Sequence, residues 1–292
     1  MVGTKTAQWV NLGRMKNQGF DMSLEFDHSF NKDFSISARG NFTYNRNKKL
    51  YDDKPDQIWK YQNLAGFANN QQFGLIAEGL FESEEDIANW PKQDFGTVRP
   101  GDIKYRDVNG DGVVNNYDRA AIGNPRTPEI QFGIPLGLSY KGFDFSMLWQ
   151  GSALCSVQLS GPAVWDFPLY DQSRIGKVRR MHLDRWTPET AATAKYPALH
   201  YGIHNNNKQQ YSSLFLYDAS YIRLKNVEIG YTLPKRWTSK ICIESLRVFF
   251  AADNLYFTSA HTGFDPRTAY TGQNAFGFPQ AKTFTFGITM NL

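Results

Sequence analysis

The sequence has little cysteine and no long apolar run. Its two cysteines, Cys155 and Cys242, lie far apart, with no CxxC pair and no clustered histidines, so neither a zinc site nor a disulfide framework is indicated. The longest apolar run extends only from Val248 to Ala252, whereas a transmembrane helix needs roughly 20 apolar residues in succession. These absences argue against a helical membrane protein and against a domain held together by zinc or disulfides.

The sequence also lacks a dense block of one charge and any familiar catalytic motif. Its 32 Lys and Arg residues against 28 Asp and Glu residues leave a net charge of +4 spread along 292 residues, so no nucleic acid is expected as a partner. No GxSxG, HExxH or phosphate-binding glycine loop is present, and the five histidines are scattered. The chain is therefore not expected to be an enzyme. No signal peptide follows Met1, so we expect a cytoplasmic chain or one without its true beginning.

Aromatic residues are abundant, with 22 Phe, 15 Tyr and 7 Trp, and many of them alternate with polar residues. Such a period of two predicts β-strands with one apolar and one polar face. Pro135 should place its strand at an edge or a bulge, and a change of parity near Lys225-Asn226 predicts a bulge there. Tight turns are expected at Asn31-Lys32 and Lys141-Gly142. The alternating segments are residues 20–30, 34–45, 132–140, 143–150, 220–233, 246–257 and 283–292.

The predicted strands are longer than the five or six residues that are roughly typical of soluble sheets. Strands of about 9 to 11 residues with alternating faces span an outer membrane as a barrel. The alternation alone fits a soluble antiparallel sandwich equally well. Aromatic residues near strand ends favour the membrane, where they form interfacial girdles; these are Tyr44, Trp149, Tyr231, Tyr256 and Phe257.

Four long connections separate the predicted strands, and loops of this size usually carry function or small elements of their own. They are residues 47–71, 82–129, 152–215 and 258–280. In the third, the spacing of apolar residues from Ser173 to Trp186 predicts a short helix that Thr187-Pro188 ends. Its basic side chains could attract an acidic ligand, but a solvated helix face is the simpler interpretation. Loop aromatics could stack on sugars or pack loop against loop; they are Trp90, Trp165, Tyr170 and Tyr201.

The segment from residue 107 to 118, DVNGDGVVNNYD, matches the template of a calcium-binding loop. It offers oxygen ligands at positions 1, 3, 5, 7, 9 and 12, with glycine at position 6 for the tight turn. The shorter carboxylate at position 12 predicts weak, structural Ca²⁺ binding, whereas a turn rich in Asp, Asn and Gly without metal would look similar. The candidate ligands are Asp107, Asn109, Asp111, the carbonyl of Val113, Asn115 and Asp118.

Several short segments, in matching order along nearly the whole chain, resemble the SusC/RagA family of TonB-linked outer-membrane receptors. The segments are GDIKY (101–105) ahead of the DVNGDG run, IGNP (122–125), LSYKGFD (138–144), RWTPE (185–189), SYIRLKNV (220–227), GYTLP (230–234), NL (254–255), GFDP (263–266), FP (278–279) and TFTFG (283–287). The match is to the C-terminal portion of a family member, because no signal peptide, plug domain or TonB box is recognised.

The resemblance implies an all-β fold: a segment of an antiparallel transmembrane β-barrel with about eight long strands and long extracellular loops, part of a larger plugged barrel. It implies location in the outer membrane, contact with its lipid, and import of oligosaccharides or peptides. A SusD-like surface lipoprotein would be the partner, and TonB would act through the N-terminal part. The alternative function, from a different class, is a soluble calcium-stabilised carbohydrate-binding β module.

Overall fold

The computed structural model describes residues 12–159, 178, 180–200, 206–208, 211–241, 243–260 and 280–291. Its strands in chain order are β1 (Arg14–Asn31), β2 (Phe34–Tyr51), β3 (Gln72–Gly74), β4 (Ala77–Leu80), β5 (Lys92–Gln93), β6 (Ile103–Tyr105), β7 (Val113–Val114), β8 (Ala120–Ile122), β9 (Ile130–Tyr140), β10 (Phe143–Ala153), β11 (Ser156–Gln158), β12 (Leu216–Asp218), β13 (Tyr221–Thr232), β14 (Ser245–Ser259) and β15 (Thr283–Asn291). The α-helices are α1 (Glu84–Ala88) and α2 (Lys235–Thr238), and short 3₁₀ segments cover Lys60–Gln62, Asn116–Asp118, Arg180–Asp184, Asn206–Lys208, Ser213–Phe215 and Ser239–Ile241.

Seven long strands form one antiparallel sheet in the order β1-β2-β9-β10-β13-β14-β15. Each predicted segment of alternating residues became one of these strands, which confirms the all-β antiparallel fold. The first two strands are 18 residues long, longer than the alternation predicted. No helix within the described ranges is long and apolar enough to cross a membrane.

Two tight turns connect neighbouring strands at one end of the sheet. The first uses Lys32-Asp33, one residue later than predicted, and the second uses Lys141-Gly142 as predicted. Lys141 and Gly142 have φ values of 48° and 87°, the left-handed pair of a type I′ turn, which matches the twist of a hairpin. The long connections all leave from the opposite end, so the sheet has a turn end and a loop end.

The position predicted for Pro135 is wrong, because β9 lies inside the sheet between β2 and β10. Its register with β10 runs unbroken through Leu148 opposite Pro135. The pairing with β2 has a gap between the pairs Ala38–Leu136 and Asn41–Gly133, without a change of register. Since proline has no N–H to donate, the sheet accommodates it as a gap in one ladder instead of placing it at an edge or a bulge.

The bulge predicted near Lys225-Asn226 is confirmed. The register of β13 shifts between Leu224 and Asn226 against β14, and its register against β10 shifts at the same place. Lys225 is the extra residue of the bulge. It lets Leu224 and Val227, which are three positions apart, lie on the same face of the sheet. Sequence positions of opposite parity thereby contribute to one continuous surface.

The long connections at the loop end fold into a small body with its own core, which we call the loop body. Four two-stranded sheets build it: β3 with β8, β4 with β6, β5 with β7, and β11 with β12. Its buried apolar side chains belong to residues far apart in sequence, namely Leu75, Ile103, Tyr105, Val114, Val157, Leu159 and Phe215. Of the predicted helix from Ser173 to Trp186, the described part contains a 3₁₀ segment, Arg180–Asp184. Residues 173–177 and 179, Trp165, Tyr170, Tyr201, Cys242 and the GFDP and FP segments lie outside the described residues.

Candidate functional site

One face of the seven-stranded sheet carries apolar side chains on all seven strands, and we call it the apolar face. The cross-strand registers bring these side chains into continuous rows. One row is Phe34, Tyr140, Phe143, Tyr231, Val248 and Ile288. The side chains are open to the surroundings: Phe286 is 82% exposed, Ile288 71% and Leu24 64%. An apolar patch of this extent requires a cover of lipid or protein.

Aromatic side chains form a band at each end of the apolar face. At the turn end, the ring centroids of Phe143 and Tyr231 lie 4.4 Å apart and those of Phe34 and Tyr140 lie 6.1 Å apart. The band at the loop end contains two pairs, Phe20 with Tyr44 at 6.1 Å and Trp149 with Tyr256 at 6.2 Å. Four of the five predicted girdle residues lie on this face. Phe257 does not, because it is the register partner of Arg223 on the opposite face.

The spacing of the two bands corresponds to the thickness of an outer membrane. Along β2, Phe34 and Tyr44 are ten positions apart. At about 3.3 Å per residue and a strand tilt of about 40°, this separation spans about 25 Å. The apolar band of an outer-membrane barrel has about this height.

The opposite face is polar and carries ion pairs that join different strands, either adjacent ones or, across β13, β14 with β10. The guanidinium of Arg247 on β14 binds Asp144 on β10, with Nε 3.0 Å from Oδ1, and Glu228 on β13, with Nη2 2.6 Å from Oε1. Arg39 on β2 pairs with Glu25 on β1. A face with such charges is suited to a water-filled interior. The Arg247 cluster was not predicted from the sequence. The one indication of it was that its three members occupy polar positions in the alternating pattern of three predicted strands.

A shallow groove on this polar face is lined by Gly137 of β9, and Gly133 lies four residues earlier on the same strand. A Cβ at Gly133 would lie 2.7 Å from Oδ1 of Asn41, and one at Gly137 would lie 2.4 Å from Oγ of Ser37. The side chains of Asn41 and Ser37 on β2 therefore lie over β9, in the space that a side chain at either glycine would occupy. The groove has a volume of about 390 Å³ and also contacts Glu25.

A buried carboxylate holds the loop body together. Asp102 is 1% exposed and accepts hydrogen bonds from the backbone N–H of Arg99 at 2.9 Å and from Asn207 Nδ2 at 2.7 Å. His200 Nε2 lies 2.5 Å from the same carboxylate. These contacts join segments about a hundred positions apart, which rigidifies the connections above the sheet.

The candidate calcium loop occupies an exposed tip of this body. The carboxylate of Asp107 accepts from the backbone N–H groups of Gly110 at 2.7 Å and Gly112 at 2.8 Å. Asp111 Oδ1 accepts from the N–H of Val113 at 2.9 Å. Asn109 Oδ1 accepts from the N–H of Asp111 at 2.9 Å. Within the described part of the chain, no three His, Cys, Asp or Glu side chains converge as in a metal site.

Asp118, the last candidate ligand, differs from the others because it is fully buried. Its Oδ1 accepts from the N–H of Val108 at 2.8 Å, and its Oδ2 accepts from the N–H of Asn115 at 2.7 Å. Asn115 in turn accepts from the N–H of Tyr117, completing a capping box around the 3₁₀ segment. The Asp118 carboxylate thus closes the loop, whereas Asp107 and Asn109 are half-buried and Asp111 is exposed.

Two further groups of the loop body have perturbed pKa values. Burial raises the pKa of Cys155 to about 11, although a hydrogen bond from Ser152 opposes this. Burial alone would raise the pKa of Asp86, but the Lys104 ammonium, whose Nζ lies 2.6 Å away, and the backbone N–H of Glu82 lower it overall. Lys104 also lies 4.2 Å from the ring centroid of Trp90, so this loop aromatic has a packing partner inside the protein.

The two faces, the aromatic bands and the turn and loop ends together define the class of protein: a wall of an antiparallel β-barrel of the outer-membrane type. Comparison with solved structures agrees. The structure of the RagAB peptide transporter superposes on 97% of this chain with a TM-score of 0.70 at 22% sequence identity. RagAB in its open-open state covers 98% of the chain, also with a TM-score of 0.70.

Curated relatives give the same result in sequence. Over 98% of its own length, the chain is 26% identical to TonB-dependent receptor P3 of Formosa agariphila. It is 23% identical to TonB-dependent receptor SusC of Bacteroides thetaiotaomicron over 96% of its length. The chain is thus SusC/RagA-like over nearly all its residues, as the short segments predicted. No protein-family model matches it. The chain spans 29% of the first relative and 27% of SusC.

Proposed function

We propose that this chain forms part of the barrel wall of a TonB-dependent importer in a bacterial outer membrane. The observation that carries the proposal is the two-faced sheet. Its apolar face is about 25 Å high between aromatic bands and would contact lipid. Its polar face carries paired charges and would line the interior. The chain would therefore act in transport, not in catalysis.

The relatives suggest how such an importer is assembled and powered. RagAB is a peptide transporter, and SusC is a TonB-dependent receptor. By this similarity, a SusD-like or RagB-like surface lipoprotein would sit on the loop end of the sheet. TonB would act through a part of the importer beyond this chain. The imported substrate would be a peptide or an oligosaccharide.

The location can be tested by separating inner and outer membranes from the source cells. We expect the native protein in the outer-membrane fraction, and we expect folded protein to migrate faster in gels before boiling than after. An epitope inserted in the loop body should be accessible on intact cells, whereas one inserted at Lys141-Gly142 should become accessible only after the outer membrane is opened. Recovery of the protein in the soluble fraction would contradict the proposal.

The substrate class can be tested with cells that lack the gene. Such cells are given either a pool of fluorescent peptides or a pool of fluorescent oligosaccharides. Uptake of one pool should be reduced, and that pool identifies the substrate class. Re-expressed wild-type protein should restore uptake only while TonB is present. Co-purification from mild detergent tests the lipoprotein. Unchanged uptake of both pools in the deletion strain would refute the import role.

The alternative, a soluble carbohydrate-binding module, fits the structure less well. Large apolar side chains cover one face of its principal sheet between the two aromatic bands, and no second sheet among the described residues packs on them. In a soluble sandwich this face would be the buried core.

We also propose that the loop at residues 107–118 binds Ca²⁺ weakly. The side-chain oxygens of Asp107, Asn109 and Asp111, with the carbonyl of Val113, are hard ligands suited to this ion. Bound calcium would neutralise two neighbouring carboxylates and brace the tip of the loop body. Asp118 would contribute by keeping the loop closed.

Calorimetric titration of the native protein with calcium, after removal of divalent ions, tests this site. Wild type should bind with a dissociation constant on the order of 10⁻⁴ to 10⁻³ M, the range of extracellular sites. Asp111→Ala should abolish the heat. Asp94→Ala, an acidic residue of the same loop body outside the segment, should leave it unchanged. No heat in the wild type would refute calcium binding.

A further inference from the structure

Three basic side chains extend the apolar face beyond its loop-end aromatic band. On β2, the positions that carry Phe42 and Tyr44 continue, two residues at a time, into Arg46 and Lys48. Lys16 on β1 is the register partner of Lys48. The register of β1 with β2 is unbroken from Met15 to Ser29, so these cations lie on the same face as the apolar side chains below them.

The arrangement of these cations leaves positive charge without compensation. Like charges directly opposite each other on paired strands destabilise a sheet, and Lys16 faces Lys48 in this way. Within the described ranges, neither lysine forms an ion pair. Arg46 has a partner in Glu129, with its Nε 3.3 Å from Oε1, yet its side chain stays 68% exposed. An anion between the lysines would remove this repulsion.

A cavity of about 870 Å³ lies at the same place. The three cations line it, and the aromatic side chains of Phe20 and Tyr44 also contribute to its wall. Arg46 is two residues beyond the aromatic band and Lys48 four residues beyond it. At about 3.3 Å per residue on a tilted strand, they lie roughly 5 to 10 Å above the hydrocarbon boundary, at the depth of lipid headgroups.

We propose that this cavity binds the phosphorylated headgroup of a lipid in the outer leaflet, with Lys16, Lys48 and Arg46 on the phosphate. The inference rests on the proposed location in the outer membrane. A lipid fits better than a soluble anion because the cations continue a lipid-facing surface: the phosphate would meet them while the acyl chains lie on the apolar side chains below. Basic pockets at membrane boundaries bind lipid headgroups in this way.

The test uses the native protein in nanodiscs of phosphatidylcholine doped with diphosphorylated lipid A, or with a neutral galactolipid as the uncharged comparison. Native mass spectrometry across a lipid titration measures the affinity for each dopant. The variant Lys16→Gln/Lys48→Gln removes the facing charges and leaves the Arg46–Glu129 pair in place. The matched control Lys54→Gln/Lys60→Gln makes the same change of charge at two exposed lysines of the loops.

Lipid A should bind more tightly than the neutral lipid, and the Lys16→Gln/Lys48→Gln variant should lose affinity for lipid A by about 25-fold. The control should bind like the wild type. If the double variant does not fold, Lys48→Gln alone should lose about fivefold. Saturating inorganic phosphate should not displace lipid A, because phosphate has no acyl chains to contact the apolar face.

Equal affinity of the wild type and the double variant for lipid A would overturn the inference, and so would complete displacement by inorganic phosphate, which would indicate a site for a soluble anion. Membrane fractionation separates this failure from a failure of the proposed function. Protein that is found in the outer membrane but binds lipid A independently of these lysines refutes the lipid site alone. Protein that is absent from the outer membrane refutes both.

Discussion

Placing a charge on the apolar face should be far more costly than placing one on the polar face next to it. Phe286 and Thr285 are neighbours on β15 and point to opposite faces. Phe286 is 82% exposed, and its ring centroid lies 4.8 Å from that of Phe250. Thr285 pairs in register with Ala251 on the polar side. Phe286→Arg and Thr285→Arg therefore make the same charge change on the two faces.

The magnitude follows from the depth of Phe286 in the apolar belt. β15 runs from Thr283 at the loop end to Asn291 at the turn end, which places Phe286 close to the middle of the strand. Arginine facing lipid at mid-depth costs about 2–4 kcal/mol. Arginine in place of Thr285 faces the polar interior and should cost within about 0.5 kcal/mol, as for most surface substitutions.

Urea unfolding of the native protein in phosphatidylcholine vesicles, followed by tryptophan fluorescence and gel migration, measures both variants against the wild type. We expect a large loss of unfolding free energy for Phe286→Arg and almost none for Thr285→Arg. Phe286→Leu serves as a control for loss of the ring without a charge. Equal costs for the two arginine variants, or no cost for either, would refute the assignment of the faces.

Three further outcomes concern the turn and the loop body. Because φ is +87° at Gly142, Gly142→Val should lower the free energy of unfolding by about 1–2 kcal/mol and with it the yield of folded protein. Asparagine tolerates this conformation, so Gly142→Asn should cause a smaller loss of both. The pKa of Asp86 in the folded protein is below its ordinary value of 3.8. The ion pair of Asp86 with Lys104 therefore contributes its full stabilisation above pH 3.8 and loses it as the pH falls through the folded-state pKa. Hydrogen exchange should show that Asp86→Asn destabilises the loop body by about 1 kcal/mol at pH 7 and by less at pH 3. Cys155, with a pKa of about 11, should resist alkylation at pH 8 until the protein is unfolded; rapid labelling of native protein would contradict its burial.

The sheet was predictable from the sequence because its signal is local. A strand with one face in lipid must alternate along its own length, so each of the seven strands shows its pattern without reference to its neighbours. The bulge at Lys225 was predictable for the same reason, since a change of parity within one strand requires an extra residue. Pro135 was misplaced because the rule for proline describes typical sheets, whereas this one tolerates a gap in a single ladder.

The loop body and the charge clusters could not be predicted because their partners lie far apart in sequence. Asp102 and His200 are 98 positions apart, and nothing local to either residue indicates the other. The calcium-type segment was recognisable from its spacing, but the burial of Asp118 depends on the body that folds around it. The site at Lys16 and Lys48 requires the strand register, which fixes which residues face each other.

The central claim is that the alternating side chains of the long strands face lipid on one side and water on the other. Nitroxide labels placed one at a time at residues 22 to 27 of β1, in the native protein reconstituted into vesicles, test it directly. Collision rates with oxygen, which partitions into lipid, should peak at Met22, Leu24 and Phe26. Those with a water-soluble nickel complex should peak at Ser23, Glu25 and Asp27. Equal exposure of all six positions to the nickel complex would contradict a membrane-spanning wall.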